Sequence, residues 1–244
     1  MKYLFLIFLL SCGNENDEQE SINKLRTLGI ETTPLVTSPS SASSPRSLTL
    51  TVYVAVPFNE TVTVSKFTDQ KTSHAILLTE SDYNIVAGSE SYTTLNGFQL
   101  FTFKATVNVP QAEAFKSRGG SGQIRYGFNL KSASNSENIV GNALIVAENS
   151  PQLQWTKPKI ILTKPIDKSS VPHDTDIDIQ ADLKNPNDED LKLGWFVSGG
   201  DIGNRRAQST IWKSPSPGLH TIIGTVRGRK SHGFAIQIIN VKTE

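Results

Sequence analysis

The chain has 244 residues, with 24 Lys+Arg against 23 Asp+Glu and a formal net charge of +1. That balance excludes the broad basic excess by which nucleic-acid-binding domains are recognised. A single cysteine excludes any disulfide within the chain, so the fold must rest on its core alone.

The first residues set the location. Lys2 supplies a positive charge, residues 3–10 are apolar, Ser11 is small and Cys12 closes the block. This order describes a secretory signal peptide over residues 1–11. The block is too short to cross a bilayer, which takes about 20 apolar residues. From Gly13 to Glu20 the chain is polar and acidic. Leu9-Leu10-Ser11-Cys12 resembles the lipobox of bacterial lipoproteins, a likeness confined to residues 1–20. It implies that Cys12 receives lipid, with acyl chains such as palmitate, and becomes the first residue of the mature protein. In Gram-negative lipoproteins, Gly rather than Asp after the cysteine implies sorting to the outer membrane, on its periplasmic face or the cell surface. Each buried CH₂ contributes about 0.8 kcal/mol, so two or three chains hold a domain that one chain would not.

Residues 12–47 read as a tether. Ile22, Leu25 and Leu28 recur every third residue before Gly29, the pattern of a short helix over 18–28. Residues 32–47 are rich in Ser, Thr and Pro, a composition that buries too little to offset ordering entropy.

From Leu48 the period changes to two. Leu48, Leu50, Val52, Val54 and Val56 alternate with Thr49, Thr51, Tyr53 and Ala55, a strand with one buried face. Further strands are expected at 61–65, 75–78, 83–87, 97–109, 123–130 and 143–147, with a helical turn at 111–117. Their regular spacing predicts an antiparallel β-sandwich over 48–153.

A boundary at 154–158 opens a second set of strands at 159–163, 175–183, 192–197, 210–213, 218–227 and 233–241. Here the Trp195 segment Leu193-Gly194-Trp195-Phe196-Val197, Trp212 and the turn Pro217-Gly218-Leu219-His220 resemble the immunoglobulin-like and PKD-type domains of secreted bacterial proteins. The resemblance covers residues 159–242 and implies a second sandwich over 154–244, with a core tryptophan on a central strand. His220 stands where that family often has an aromatic. Such domains imply binding, spacing or display; function does not follow from fold. The fold class expected is therefore all-β, two tandem sandwiches behind a signal peptide and a disordered tether.

Motifs for chemistry are sparse. His74, His173, His220 and His232 lack metal-ligand spacing. Asp174, Asp176 and Asp178 alternate; on a strand they stand about 7 Å apart, too far for one ion to be shared unaided. They read as a solvated strand face, and as weak candidates for calcium only if Asp188, Glu189 or Asp190 assists. Asn187 to Asp190 reads as a solvated turn. Arg205-Arg206 and Arg227-Gly228-Arg229-Lys230 read as exposed basic turns that keep an edge soluble. The glycines of 118–122 lack the Lys-Ser/Thr of a phosphate loop, and no strained G-x-S-x-G elbow occurs.

The expectation is a non-catalytic, cofactor-free envelope protein, anchored by its lipid, that presents its sandwiches to an envelope or extracellular protein. The alternative is a carbohydrate- or ligand-binding adhesin. Exposed Trp155, Trp212 or Tyr126 would favour the adhesin; burial would favour the accessory.

Overall fold

The computed structural model describes residues 22–67 and 75–244. Cys12, the lipobox and His74 lie outside the described residues.

The first sandwich is built from β1 (Arg26–Thr33), β2 (Val36–Thr37), β3 (Ser47–Pro57), β4 (Thr63–Phe67), β5 (Ile76–Leu77), β6 (Tyr83–Ile85), β7 (Ser91–Leu95), β8 (Phe98–Asn108), β9 (Gly122–Lys131) and β10 (Ser136–Ile145). One sheet runs β1-β3-β8, with β6 and β7 both paired to β8. The other runs β2-β10-β9, with β4 and β5 paired to β9. The alternation read in residues 48–56 is the burial pattern of β3. Leu48, Leu50, Val52, Val54 and Val56 pack between the sheets against Phe101, Phe103, Phe128 and Leu130. The expected helical turn is a 3₁₀ segment, Ala112–Arg118, whose Phe115 is fully buried.

The second sandwich holds β11 (Lys159–Lys164), β12 (Ser170–Val171), β13 (Asp176–Lys184), β14 (Leu191–Val197), β15 (Asp201–Ile202), β16 (Ser209–Lys213), β17 (Gly218–Gly228) and β18 (Phe234–Thr243). Its sheets run β11-β13-β16-β15 and β12-β18-β17-β14. Trp195 on β14 and Trp212 on β16 are both at 0% exposure in the shared core. Their indole nitrogens donate to Ala207 O at 2.9 Å and Gly199 O at 3.0 Å. Each buried ring therefore keeps its polar atom satisfied. The His220 ring meets Trp212 edge-on at 6.2 Å.

Most expected strands are present, but the tether expected over 12–47 is not what the described part of that segment forms. From Arg26 it is strand, with β1 antiparallel to β3 and β2 parallel to β10. The expected short helix is absent from residues 22–28 for a specific reason. Leu25 is at 0% exposure in the core of the first sandwich, whereas Ile22 and Leu28 belong to a separate cluster between the sandwiches. The register passes from Thr27↔Val54 to Gly29↔Tyr53, leaving Leu28 as the extra residue of a bulge. A bulge re-aims a side chain, and here it turns Leu28 outward. The Ser-rich stretch is pinned too: Ser40 N donates to Pro110 O at 3.0 Å and Arg46 N to Ser40 Oγ at 2.9 Å.

The cluster between the sandwiches sets their relation. Leu28, Ala55, Phe98, Leu100 and Ile223 are buried in it, with Tyr53, Phe196, Ile236 and Ile238 packed around them. These lie on the outward faces of β1, β3, β8, β14, β17 and β18. The inner sheets of the two sandwiches thus pack face to face, and β3, β8 and β17 are buried on both sides. Each such side chain contributes roughly 1.5–3 kcal/mol relative to exposure.

Two stability experiments follow. Leu25→Ala should cost about 2–5 kcal/mol by urea unfolding, as for a fully buried leucine; a cost near zero would return residues 22–33 to the tether. Ile223→Asp places a charge in the seam, so calorimetry should resolve two transitions where the native chain shows one. A single transition in the variant would mean that the seam does not couple the sandwiches.

Candidate functional site

The segment joining the sandwiches is held at several points. Pro151–Gln154 forms a 3₁₀ turn, and Trp155 behind it is half-buried. Thr156 is gripped on both sides by one side chain: its N–H donates to Asn187 Oδ1 at 3.2 Å, and Asn187 Nδ2 donates to its carbonyl at 2.7 Å. Asn187 also donates to Glu189 Oε1 at 3.2 Å. Glu189, only 5% exposed, accepts from the backbone of Lys230 and Ser231 at 2.7 and 2.8 Å. Burial alone would raise the Glu189 carboxyl, but hydrogen bonds from Ser231, Asn187 and Lys230 outweigh it and hold it below its usual value. In the turn expected to be solvated at 187–190, Asp188 and Asp190 are exposed, while Glu189 folds inward as a buried clamp on the β17–β18 hairpin. The hairpin needed a carboxylate because its backbone donors point inward.

One end of the apolar seam is closed by polar contacts. The β7–β8 turn reaches across with Asn96, whose N–H donates to Thr221 Oγ1 at 3.3 Å and whose Nδ2 donates to Asn240 Oδ1 at 3.1 Å.

The other end opens as a cleft of about 190 Å³ between the sandwiches. Its first wall is Leu28 to Ile30 of β1, with Tyr126 of β9 and residues 139–142 of β10. Its second is residues 192–194 of β14, Thr225 and Arg227 of β17, His232 and Phe234. Gly29 permits the close approach, since a Cβ there would stand 2.2 Å from the Phe234 ring.

The electrostatics of the cleft are one-sided. Lys192, Arg227 and His232 line it, and no Asp or Glu does. Lys192 and Arg227 are direct cross-strand partners, a like-charge pairing that destabilises a sheet. Arg227 Nη2 donates to His232 Nδ1 at 3.4 Å. A guanidinium can only donate, so Nδ1 is the acceptor and the neutral ring carries its proton on Nε2. Burial pushes the imidazole down to about 4, with the Arg227 charge adding to that and Glu189 opposing it. Tyr126 Oη lies 3.2 Å from Thr32 Oγ1. Burial pushes the phenol up to about 12, against the Thr32 hydrogen bond and the Arg227 charge.

The residues singled out in the sequence are dispersed. Asp176 and Asp178 lie exposed on the outer face of β13, across from Lys213 and Ile211 of β16. Asp174 stands before the strand in a left-handed conformation, φ 50°. Among the described residues no three His, Cys, Asp or Glu side chains gather to hold a metal ion. The expected assistance from Glu189 is ruled out by its commitment to the hairpin. Arg229 does sit in an exposed turn, 3.6 Å from Asp190. Arg227 does not: it is half-buried in the cleft. That placement was recoverable from β17, where Thr221, Ile223, Thr225 and Arg227 share one face at period two. His232 carried no such signal, because it stands at φ 60° in the hairpin turn. Of the aromatics, Trp212 and Tyr126 are buried and Trp155 is half-buried.

No protein-family model matches the chain, and no curated protein matches it. Among solved structures it is similar to the fibronectin(III)-like modules of Clostridium thermocellum CbhA, at 15% identity over 90% of this chain and 94% of that one, with a TM-score of 0.32. It is also similar to the N-terminal Ig1-2 module of the Drosophila receptor protein tyrosine phosphatase DLAR, at 7% identity over 88% and 99%, with a TM-score of 0.32. At these values the likeness adds nothing to the strand architecture described above.

His232 generates a pH prediction. Its folded value of about 4 lies below the unfolded 6.5. Between those values the unfolded chain binds more protons, so stability rises with pH across the window and levels off above it. The slope is at most about 1.4 kcal/mol per pH unit. The carboxyls of Glu60, Glu113, Glu189 and Glu244 are held below their usual value too, and they add slope from the ordinary carboxylate range downward, leaving the span from about pH 5 to 6.5 to histidine. His232→Asn keeps a residue that tolerates the left-handed backbone. Urea midpoints at the two ends of that span should rise with pH in the native chain, and by clearly less in the variant. Equal slopes would remove His232 from the titration.

Proposed function

We propose that the chain is a non-catalytic accessory protein of the bacterial cell envelope. Lipid on Cys12 holds it at a membrane, the outer membrane by the Gly13 rule, and the paired sandwiches are presented to another envelope or extracellular protein.

The observation that carries this reading is the apolar seam. Phe98, Leu100 and Ile223 are buried between the sandwiches rather than within them, which suits a stiff display body more than two modules on a flexible join. The burial of Trp212 and Tyr126, with Trp155 half-buried, also favours a protein partner over a sugar, because sugar sites commonly offer an open aromatic face. The anchor is short. Only residues 13–21 separate Cys12 from Ile22, so the body stays within about 35 Å of the lipid even at full extension. That reach suits a partner at or near the same membrane.

Mass spectrometry of the N-terminal peptide from native membranes tests the anchor. The expected peptide begins at Cys12 and carries two or three acyl chains. An unmodified peptide that begins elsewhere would make the protein a freely secreted one and overturn the localisation. Crosslinking of the anchored protein in intact cells should then capture an envelope protein.

A further inference from the structure

The cleft between the sandwiches holds two oddities that the proposed accessory role does not use. The first is a repulsive pair. Lys192 and Arg227 face each other across β14 and β17, and neither forms an ion pair with a described residue. A directly opposed like-charge pair destabilises a sheet. Any acidic side chain at position 192 would have turned this cost into a gain. The second is an unmet hydrogen-bonding capacity. His232 Nε2 and Asn142 Oδ1 are both buried without a hydrogen-bond partner among the described residues, and both residues line the cleft. A buried polar atom left unpaired is destabilising. With Nδ1 accepting from Arg227, the bare Nε2 is a donor. The lining residues thus carry a guanidinium, an ammonium and an N–H, with no acid among them. Apolar surface from Ile30, Ile139 and Phe234 completes the lining.

We propose that the cleft binds a small carboxylate-bearing molecule with a short branched apolar arm. Arg227, Lys192 and His232 Nε2–H take the carboxylate, Asn142 Oδ1 takes a hydroxyl on the ligand, and the aliphatic lining takes the arm. The volume sets the size class. At about 190 Å³ the cleft lies below the roughly 300–1,000 Å³ of drug-sized pockets. A 2-hydroxy acid with a branched aliphatic chain has this chemistry. An inorganic anion would leave the apolar lining unfilled. A free amino acid would bring its ammonium group against Arg227.

The test is calorimetric titration of the purified chain with 2-hydroxy-4-methylpentanoate. Its neutral amide and inorganic phosphate serve as comparison probes. The hydroxy acid should bind with Kd below about 1 mM, while the amide binds at least tenfold more weakly, the scale of a lost charged hydrogen bond. Arg227→Gln should weaken binding by about tenfold or more. Because Arg227 is half-buried, Lys192→Glu at an exposed position is the safer variant. It should raise the melting temperature without ligand, by pairing with Arg227, and abolish the response to the hydroxy acid. Several results would overturn the proposal: no heat from the hydroxy acid, equal binding of acid and amide, a response confined to phosphate, or affinity unchanged in Lys192→Glu.

Discussion

The structure depends on one packing decision: the inner sheet of each sandwich is apolar on both faces. An antiparallel sheet usually gives one face to a core and the other to water. In β3 the core takes Leu50, Val52 and Val54, and the opposite face still offers Tyr53 and Ala55. In β17 the core takes Ile222 and Val226, and the opposite face offers Ile223. Left apart, these second faces would expose a contiguous apolar patch of the kind that monomers rarely tolerate. Docking them together removes both patches and fixes the distance between the domains. The bulge at Leu28, the bare backbone at Gly29 and the clamp of Asn187 on Thr156 all serve that contact.

Period two was legible where polar residues alternate with core residues: Thr49 and Thr51 mark it along the first half of β3, before the seam closes over Tyr53 and Ala55. The seam was legible only as a puzzle: Phe98, Leu100 and Phe101 crowd together, too apolar for alternation, since Phe98 and Leu100 face the seam while Phe101 faces the core. The N-terminal segment misled for a related reason. Ile22, Leu25 and Leu28 have helical spacing, yet they divide between two clusters, and a bulge lets Leu28 break the strand's parity. The Ser/Pro composition of 32–47 argued for a tether because its order comes from outside itself. It is held by Pro110 and by the parallel partner β10, contacts that no local pattern encodes.

The cleft was hidden more thoroughly. Its lining comes from β1, β9–β10, β14 and the β17–β18 hairpin, segments separated by most of the chain. The basic run at 227–230 looked like one exposed patch, but strand parity divides it: Arg227 continues the seam-facing row of β17, while Arg229 turns outward to Asp190. Glu189 was grouped with its acidic neighbours as a solvated turn. It is the member that folds inward, because the hairpin presents the N–H groups of Lys230 and Ser231 to it. Composition cannot separate residues that differ only in which way a turn faces.

The two ends of the seam were finished differently, and the difference is informative. At Thr221 the gap between sandwiches is closed by neutral hydrogen bonds from Asn96 to Thr221 and Asn240, which satisfy every partner at little desolvation cost. Six residues along the same face of β17, at Arg227, an equally simple closure was open to the sequence: a carboxylate on β14 opposite the guanidinium. Lys192 stands there instead. A seam selected for cohesion alone would not keep its second end cationic, unpaired and hollow. An anion seated there would touch β10 of one sandwich and β14 and β17 of the other, adding a contact across the joint on which the rest of the body relies.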